Sequence, residues 1–223
     1  MPESTRGIKA TLHESFAGIA KAAAHPHRLV LLEHLAQGER NVDALAATAG
    51  LTVANASQHL KSMLRAGLLS ARRDGKFTFY RLADDSVLDL LDAIGRIARR
   101  NDAAVKEVVT SYFNARDSME PVSRRELRQR MKAGTVTVVD VRPKEEFAMG
   151  HVPGAINLPP SELNRRLADL PRSKEVVAYC RGPYCVFAFE AVAALRKAGY
   201  KARRLEDGMP EWRAAGLPVI TAP

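Results

Sequence analysis

Two stretches of this chain carry residue types whose spacing can do chemistry. In VVAYCRGPYCVFAFEAVAALRKAGY an apolar strand delivers Cys180 into a short loop that opens directly into an amphipathic helix. Main-chain N–H groups in such a loop converge on the cysteine sulfur, and the following helix adds the positive end of its dipole. Both favour the thiolate, the nucleophilic form, so the spacing predicts a Cys180 sulfur that is ionised and exposed near neutral pH. Cys185, the only other cysteine, closes the same loop.

The second stretch runs from residue 52 to 82. Its cations are Lys61, Arg65, Arg72, Arg73, Lys76 and Arg81, against a single acid, Asp74. Such a surplus belongs where phosphates are met, because phosphate contacts supply most of the affinity for duplex DNA. Along the same segment Thr52, Asn55, Ser57, Gln58, His59 and Lys61 include side chains able to reach base edges, Asn and Gln being suited to adenine. Ala54, Ala56 and Leu60 read as core or close-approach positions. A solvated helix of a small helical domain is the plain alternative; the charged hairpin beside it favours nucleic acid.

Elements must position these groups. HESFAGIAKAAAH sets Phe16, Ile19, Ala20 and Ala23 at helical spacing, and Pro26 ends it. PHRLVLLEHLAQG is a second helix, with Pro26 in its first turn and Gly38 at its end. NVDALAATAG is a short third helix stopped by Gly50. TVANASQHLKSMLRAG is a fourth, with Thr52 as N-cap and Gly67 at the stop. LLSARRDGKFTFYRL gives two alternating runs around Asp74-Gly75, a hairpin signal. A long final helix spans about 86 to 114, with Leu88, Leu91, Ile94, Ile97, Val105, Val108 and Tyr112 along one side. Helix, short helix, turn, helix and wing, in that order, predict a winged helix-turn-helix whose second helix of the pair enters the major groove.

ARDSMEP, residues 115 to 121, is polar and ends in proline, so the expected organisation is a domain over 1–114, a linker over 115–121 and a second domain over 122–223. Beyond the linker, strands VTVVDV, AINLP, EVVAYC and KARRLE alternate with helical segments, including one from about 185 to 198. That pattern predicts an α/β domain with a central, mostly parallel sheet covered on both faces. Cys180 then sits where a strand hands over to a helix.

Composition bounds the partners. A chain of 223 residues with 46% hydrophobic content fits two domains of about 100 residues each. A net charge of +9 and a pI near 9.8 favour a polyanion or small anions without naming one. Two cysteines do not build a secreted disulfide framework. MPESTRGIKATLHESFAG lacks the charged start and apolar run of a signal peptide, and no stretch is apolar enough to span a bilayer, so a cytoplasmic protein without membrane partners is expected.

From AKAAAHPHRLVLL to KFTFYRL the chain resembles the ArsR family of winged-helix repressors. The resemblance implies a homodimer joined by the first and last helices, here 12 to 24 and 86 to 114, binding a palindromic operator in double-stranded DNA. The apolar side of the last helix agrees, although a monomer burying it against the second domain would use the same stripe. Metal-sensing relatives place cysteines in the third helix or carboxylate and His pairs in the last. ERNVDALAATAG has no cysteine and the last helix no histidine, so no metal and no cofactor are expected. His25 and His27 flank Pro26 as a look-alike ligand pair, for which a helix-start role is the expectation. His13 and His34 lack clustered partners.

VVDVRPKEEFAMGHVPGAINLP, VVAYCRGPYC and LEDGMPEWRAAGLPV resemble, in this order, the rhodanese domain of sulfurtransferases. The resemblance implies transfer of sulfane sulfur, from a donor such as thiosulfate or polysulfide, through a persulfide on Cys180. Arg181 would attract the anionic donor or stand as a rim charge, with Gly182, Pro183 and Tyr184 completing the substrate-binding loop. Cys185 would resolve the persulfide, or merely pack. Asp140 and Arg142 read as a structural carboxylate and its partner, His151 as a turn-fixing residue and Trp212 as packing for the C-terminal helix. Phosphatases sharing this fold need an arginine six positions after the cysteine, where this chain has Val186. The expectation is a repressor whose sulfur domain reports reactive sulfur. A sulfurtransferase using its helical half for dimerisation or targeting, and a domain that only binds an anion, stay open.

Overall fold

The computed structural model describes residues 3–114, 117 and 119–221. It divides into two compact units, Met1–Leu91 and Asp92–Pro223. The first holds α1 (Glu3–Ala23), α2 (Pro26–Gln37), β1 (Arg40–Asn41), α3 (Val42–Ala49), α4 (Val53–Arg65), β2 (Leu69–Asp74) and β3 (Phe77–Leu82). Helix α5 (Ser86–Asn101) begins in the first unit and ends in the second. The second unit continues with α6 (Ala103–Val108), a π-helical turn (Val109–Asn114), α7 (Arg124–Lys132), β4 (Val136–Asp140), α8 (Lys144–Met149), β5 (Ile156–Asn157) and α9 (Pro160–Arg166). A 3-10 turn (Leu167–Asp169), β6 (Glu175–Tyr179), α10 (Val186–Lys197), β7 (Ala202–Arg204) and α11 (Met209–Ala214) complete it.

In the first unit, helix boundaries follow their caps. The Asn41 and Thr52 side chains accept the amides of Ala44 and Asn55 at 2.9 and 3.2 Å, satisfying donors that the first turns of α3 and α4 leave open. Gly50 closes α3 in the left-handed region at φ 65°. Leu31, Leu32, Leu45, Leu60 and Met63, all 0% exposed, join Tyr80 and Val87 in one core. That core fixes α4 by its inner face and leaves its outer face to solvent.

Three local expectations shift. The pairing of Asp74 with Phe77 puts Gly75 and Lys76, rather than Asp74 and Gly75, in the centre of the hairpin. Short β1 adds an edge to β3, which two residues give too little pattern to foresee. The long final helix is interrupted: the Asp102 carboxylate accepts the amides of Ala104 and Val105 at 2.9 and 3.3 Å, starting α6 anew. A short acid that bonds its own backbone competes with helix continuation.

The second unit is a four-stranded parallel sheet in the order β5-β4-β6-β7. Alternate residues serve two cores. Val176, Ala178 and Cys180 face one together with Val139, Leu158 and Leu195, whereas Val177 and Tyr179 face the other with Val138, Met209 and Trp212. A sheet buried on both faces needs such near-continuous apolar strands. Of the expected linker 115–121, residues 115, 116 and 118 lie outside the described residues. Asp117 is buried and takes Arg196 at 2.8 Å and Arg204 at 3.4 Å.

Candidate functional site

Cys180 follows the last residue of β6, at the carboxyl edge of the parallel sheet, where α/β folds gather their ligands. The loop returns within six residues, because the Cys185 amide donates to Gly182 O at 3.1 Å and Cys185 sits at the N-cap of α10. Cys180 and Cys185 are joined as a disulfide, their Cα atoms 6.0 Å apart. Cys180 is 1% exposed and Cys185 9%. The expected exposed thiolate is therefore corrected: in this state both sulfurs are bonded and covered by the packing of β6 against α10.

Arg181 is also placed differently from the expectation. Its guanidinium grips the buried Glu146 carboxylate through Nε, at 3.2 and 3.0 Å to the two oxygens, and through Nη2 at 2.8 Å. A bidentate pair of this kind spends the cation on a fixed internal anion and orients the loop. Gly208 presses against the Arg181–Gly182 peptide so closely that a Cβ would overlap the Arg181 carbonyl carbon and the Gly182 nitrogen. The Met209 amide donates to Cys180 O at 3.0 Å. Glu211 accepts the Gly208 amide at 2.9 Å, and burial holds its carboxyl above the usual range. Glu146, Gly208 and Glu211 form the floor of the loop. None of them was singled out from sequence; the Gly-x-x-Glu spacing at the start of α11 was the available signal.

Asp140 and Arg142, both fully buried, meet at 2.6 Å, and Arg142 also donates to Gly150 O at 2.7 Å. Burial alone would lower the Arg142 guanidinium, but Asp140 more than reverses that. His151 stacks on Phe147 with centroids 3.7 Å apart and pairs with Ile220. The Trp212 indole N–H donates to Pro218 O at 2.9 Å.

The loop also has an outward contact. Tyr184, between the two cysteines, meets the Phe113 ring edge-to-face at 5.6 Å and lies under the Arg99 guanidinium at 5.0 Å. Phe113 in turn touches Phe189 of α10 at 4.7 Å. Tyr184 and Phe113 join Gly95, Arg99 and Val108 in lining an apolar cavity of about 390 Å³. Part of the apolar stripe of the last helices thus packs here, while Ile94, Ile97 and Val108 remain exposed.

On α4 the expected DNA-facing residues Thr52, Asn55, Gln58, Lys61 and Arg65 are exposed, and Ser57 is half-buried. Ala56 and Leu60 are core; Ala54 is exposed. Arg73 and Lys76 are exposed on the wing, Lys76 over the Phe77 ring. Arg72 bonds Glu39 at 2.6 Å and Asp74 at 3.1 Å, so its charge is partly met within the unit. His59 departs from the expected set. It turns toward the start of α2, where Arg28 Nε donates to its Nδ1 at 3.3 Å and His25 and His27 stand close. Burial first, then His25, Arg28 and His27, hold its imidazole below the usual value.

Two protein-family models match the chain. Residues 23–70 match a helix-turn-helix domain family and residues 123–215 the rhodanese-like domain family. The chain is similar to the HTH-type transcriptional regulator Rv0324 of Mycobacterium tuberculosis, 44% identical over 211 residues that cover 95% of this chain and 92% of that one. A sulfurtransferase of Allochromatium vinosum is 34% identical over 86 residues, 38% of this chain and 78% of that protein. Among solved structures, the homodimeric winged helix-turn-helix DNA-binding domain Mb0332 (fragment 1–100) of Mycobacterium bovis shares 36% identity, with a TM-score of 0.40. It covers 43% of this chain and 89% of that chain.

Proposed function

This chain belongs to the family of HTH-type transcriptional regulators that join a helix-turn-helix domain to a rhodanese-like domain, and from that premise we propose that it is a cytoplasmic repressor whose DNA binding is set by the sulfur state of Cys180 and Cys185. The observation that carries the reading is the direct bond between the two cysteines at the carboxyl edge of the sheet.

The chemistry is balanced with a sulfane donor. In the reduced chain the Cys180 thiolate attacks the outer sulfur of thiosulfate, forming Cys180–S–S⁻ and releasing sulfite. The Cys185 thiol then attacks the Cys180 Sγ; the new disulfide forms, and the outer sulfur leaves as hydrosulfide. A cellular dithiol returns the pair to its starting state. Polysulfide serves in the same way, with a shortened polysulfide as leaving group. The chain has no third cysteine, so the signal resides in this pair.

A palindromic operator suits a homodimer. Two features support one: Ile8, Leu12, Phe16 and Ile19 are exposed along one side of α1, and Ile94 and Ile97 are exposed on α5. Exposed Asn55 and Gln58 reach base edges, with Lys61, Arg65, Arg73 and Lys76 on phosphates. The proposed route from sulfur to α5 runs through Tyr184, which lies inside the 180–185 loop, to Phe113 and Arg99.

Mass spectrometry tests the sulfur step. Reduced Cys185→Ser protein treated with thiosulfate gains one sulfur on the peptide holding Cys180, and Cys180→Ser protein gains none; an equal gain in both variants contradicts the assignment. Turnover as a thiosulfate:acceptor sulfurtransferase is the second reading, favoured by the similarity of residues in this half to a sulfurtransferase. Sustained thiosulfate:cyanide activity without sequence-specific DNA binding would select it.

A further inference from the structure

Three of the six histidines of the chain converge where no site was expected. His25 is the N-cap of α2, and its Nδ1 accepts the His27 amide at 3.1 Å. Pro26 between them fixes the first turn, so both imidazoles stand at the same helix end, ring centroids 5.1 Å apart. His59 of α4 lies 4.6 Å from His25 and 5.7 Å from His27, centroid to centroid. One ligating atom from each of the three is within 4.8 Å of the other two.

We propose that His25, His27 and His59 bind one divalent transition-metal ion of the zinc, nickel or copper class. Three imidazoles suit such ions, whereas magnesium and calcium require oxygen donors. Bonds of about 2.0–2.1 Å in a tetrahedral site place donor atoms about 3.4 Å apart, so the trio closes by on the order of 1 Å around the ion. The rings can make that movement because His27 is exposed and the other two are half-buried. Water fills the rest of the coordination shell.

Binding has a defined cost in local contacts. The Nδ1 atoms of His25 and His59 now accept hydrogen bonds from the His27 amide and from Arg28 Nε. An ion on Nε2 puts the ring proton on Nδ1 and removes that acceptor; an ion on Nδ1 displaces the donor. Either way Arg28 leaves His59, keeping its bonds to Lys21 O and Ala22 O at 3.2 and 3.0 Å. The ion is therefore held partly by α4, the helix proposed to read DNA, and it replaces a contact that ties α4 to α2.

The test uses the full chain in its disulfide form, which keeps Cys180 and Cys185 from competing, and titrates zinc against a chromogenic chelator. The expected result is one zinc per chain. His27→Ala and His25→Asn should weaken it by more than about tenfold, since even changes around a ligand cost that much. Asn at position 25 retains a side-chain cap for α2, and circular dichroism verifies the helix content of both variants. His13→Ala should leave the affinity unchanged. X-ray absorption of the zinc-loaded chain should show imidazole nitrogen and no sulfur around the ion. No zinc uptake, unchanged affinity in His27→Ala, or sulfur in the shell overturns the site.

Discussion

On α4 the side chains of Thr52, Asn55, Gln58, Lys61 and Arg65 stand out into solvent, whereas the six-residue loop after β6 keeps both of its sulfurs inside. Both regions start a helix after a tight turn, but the Thr52 side chain caps α4 whereas Cys185, at the N-cap of α10, makes no side-chain cap bond. In the first unit the core takes Ala56, Leu60 and Met63, and between them Gln58 and Lys61 are exposed. In the second, the strand that delivers Cys180 is buried and the helix that starts after Cys185 turns Ala188, Ala191, Val192 and Leu195 into the core, so the two sulfurs lie between packed layers. The difference teaches that, on the proposed function, the exposed face of α4 would meet DNA by reach and charge with no prior rearrangement of its own side chains. The proposed sulfur chemistry would be limited by access, because the Cys180–Cys185 bond has to be reduced before either sulfur could act as a nucleophile. A buried, bonded pair suits a reporter that changes state once per signal better than a site that turns over continuously.

Predictions follow from pushing each region toward the other. The largest effect is expected at Gly208, which closes the floor of the sulfur loop. Gly208→Ala drives a methyl into the Arg181–Gly182 peptide and should destabilise the second unit by about 1–3 kcal/mol, with thermal denaturation as the readout. An unchanged midpoint would mean the loop is looser than described. On the open region, Gln58→Ala should cost about 1–3 kcal/mol on the specific operator and little on random DNA, while Lys61→Ala weakens both alike and lowers the salt slope by about one. Fluorescence anisotropy at several salt concentrations separates the two. Equal losses on both DNAs for Gln58→Ala would remove it from base readout.

Arg99→Ala joins the regions. Removing the cation over Tyr184 should narrow the gap in DNA affinity between disulfide and reduced protein by about 0.5–1 kcal/mol, the worth of an exposed cation–π pair. A gap of the same size would take Tyr184 off the route. The smallest effect concerns pH. Burial raises the Glu211 carboxyl above its unfolded value, so the folded chain holds a proton that the unfolded chain has lost. Stability should therefore fall as pH rises from the unfolded value of 4.5 through the raised folded value, and Glu211→Gln should flatten that slope in urea titrations across the window. A slope that persists in the variant would assign it to another group.

Much of this was legible in the sequence because it is local. Thr52 as an N-cap, Gly50 as a helix stop, alternation in the wing and the strand–cysteine–helix order each act within a few residues. The unread features join distant residues. Arg181 and Glu146 are 35 positions apart, and His59 reaches His25 across two helices; no spacing rule encodes such meetings, which packing decides. The interruption at Asp102 is the exception, a local signal outweighed by the apolar stripe that runs past it. Cys180 illustrates the limit best: its place in the loop followed from the pattern, but its burial followed from the layers around it.

The claim that the sulfur state of one cysteine pair governs DNA binding is tested most directly by titrating the full chain onto DNA from its own upstream region. Reduced, polysulfide-treated and disulfide forms are compared side by side, with the sulfur state of each sample verified by mass. The account predicts that the reduced and the oxidised forms differ in affinity and that Cys180→Ser protein binds equally before and after treatment. Identical affinity in all forms, with the sulfur modification confirmed at Cys180, would contradict it.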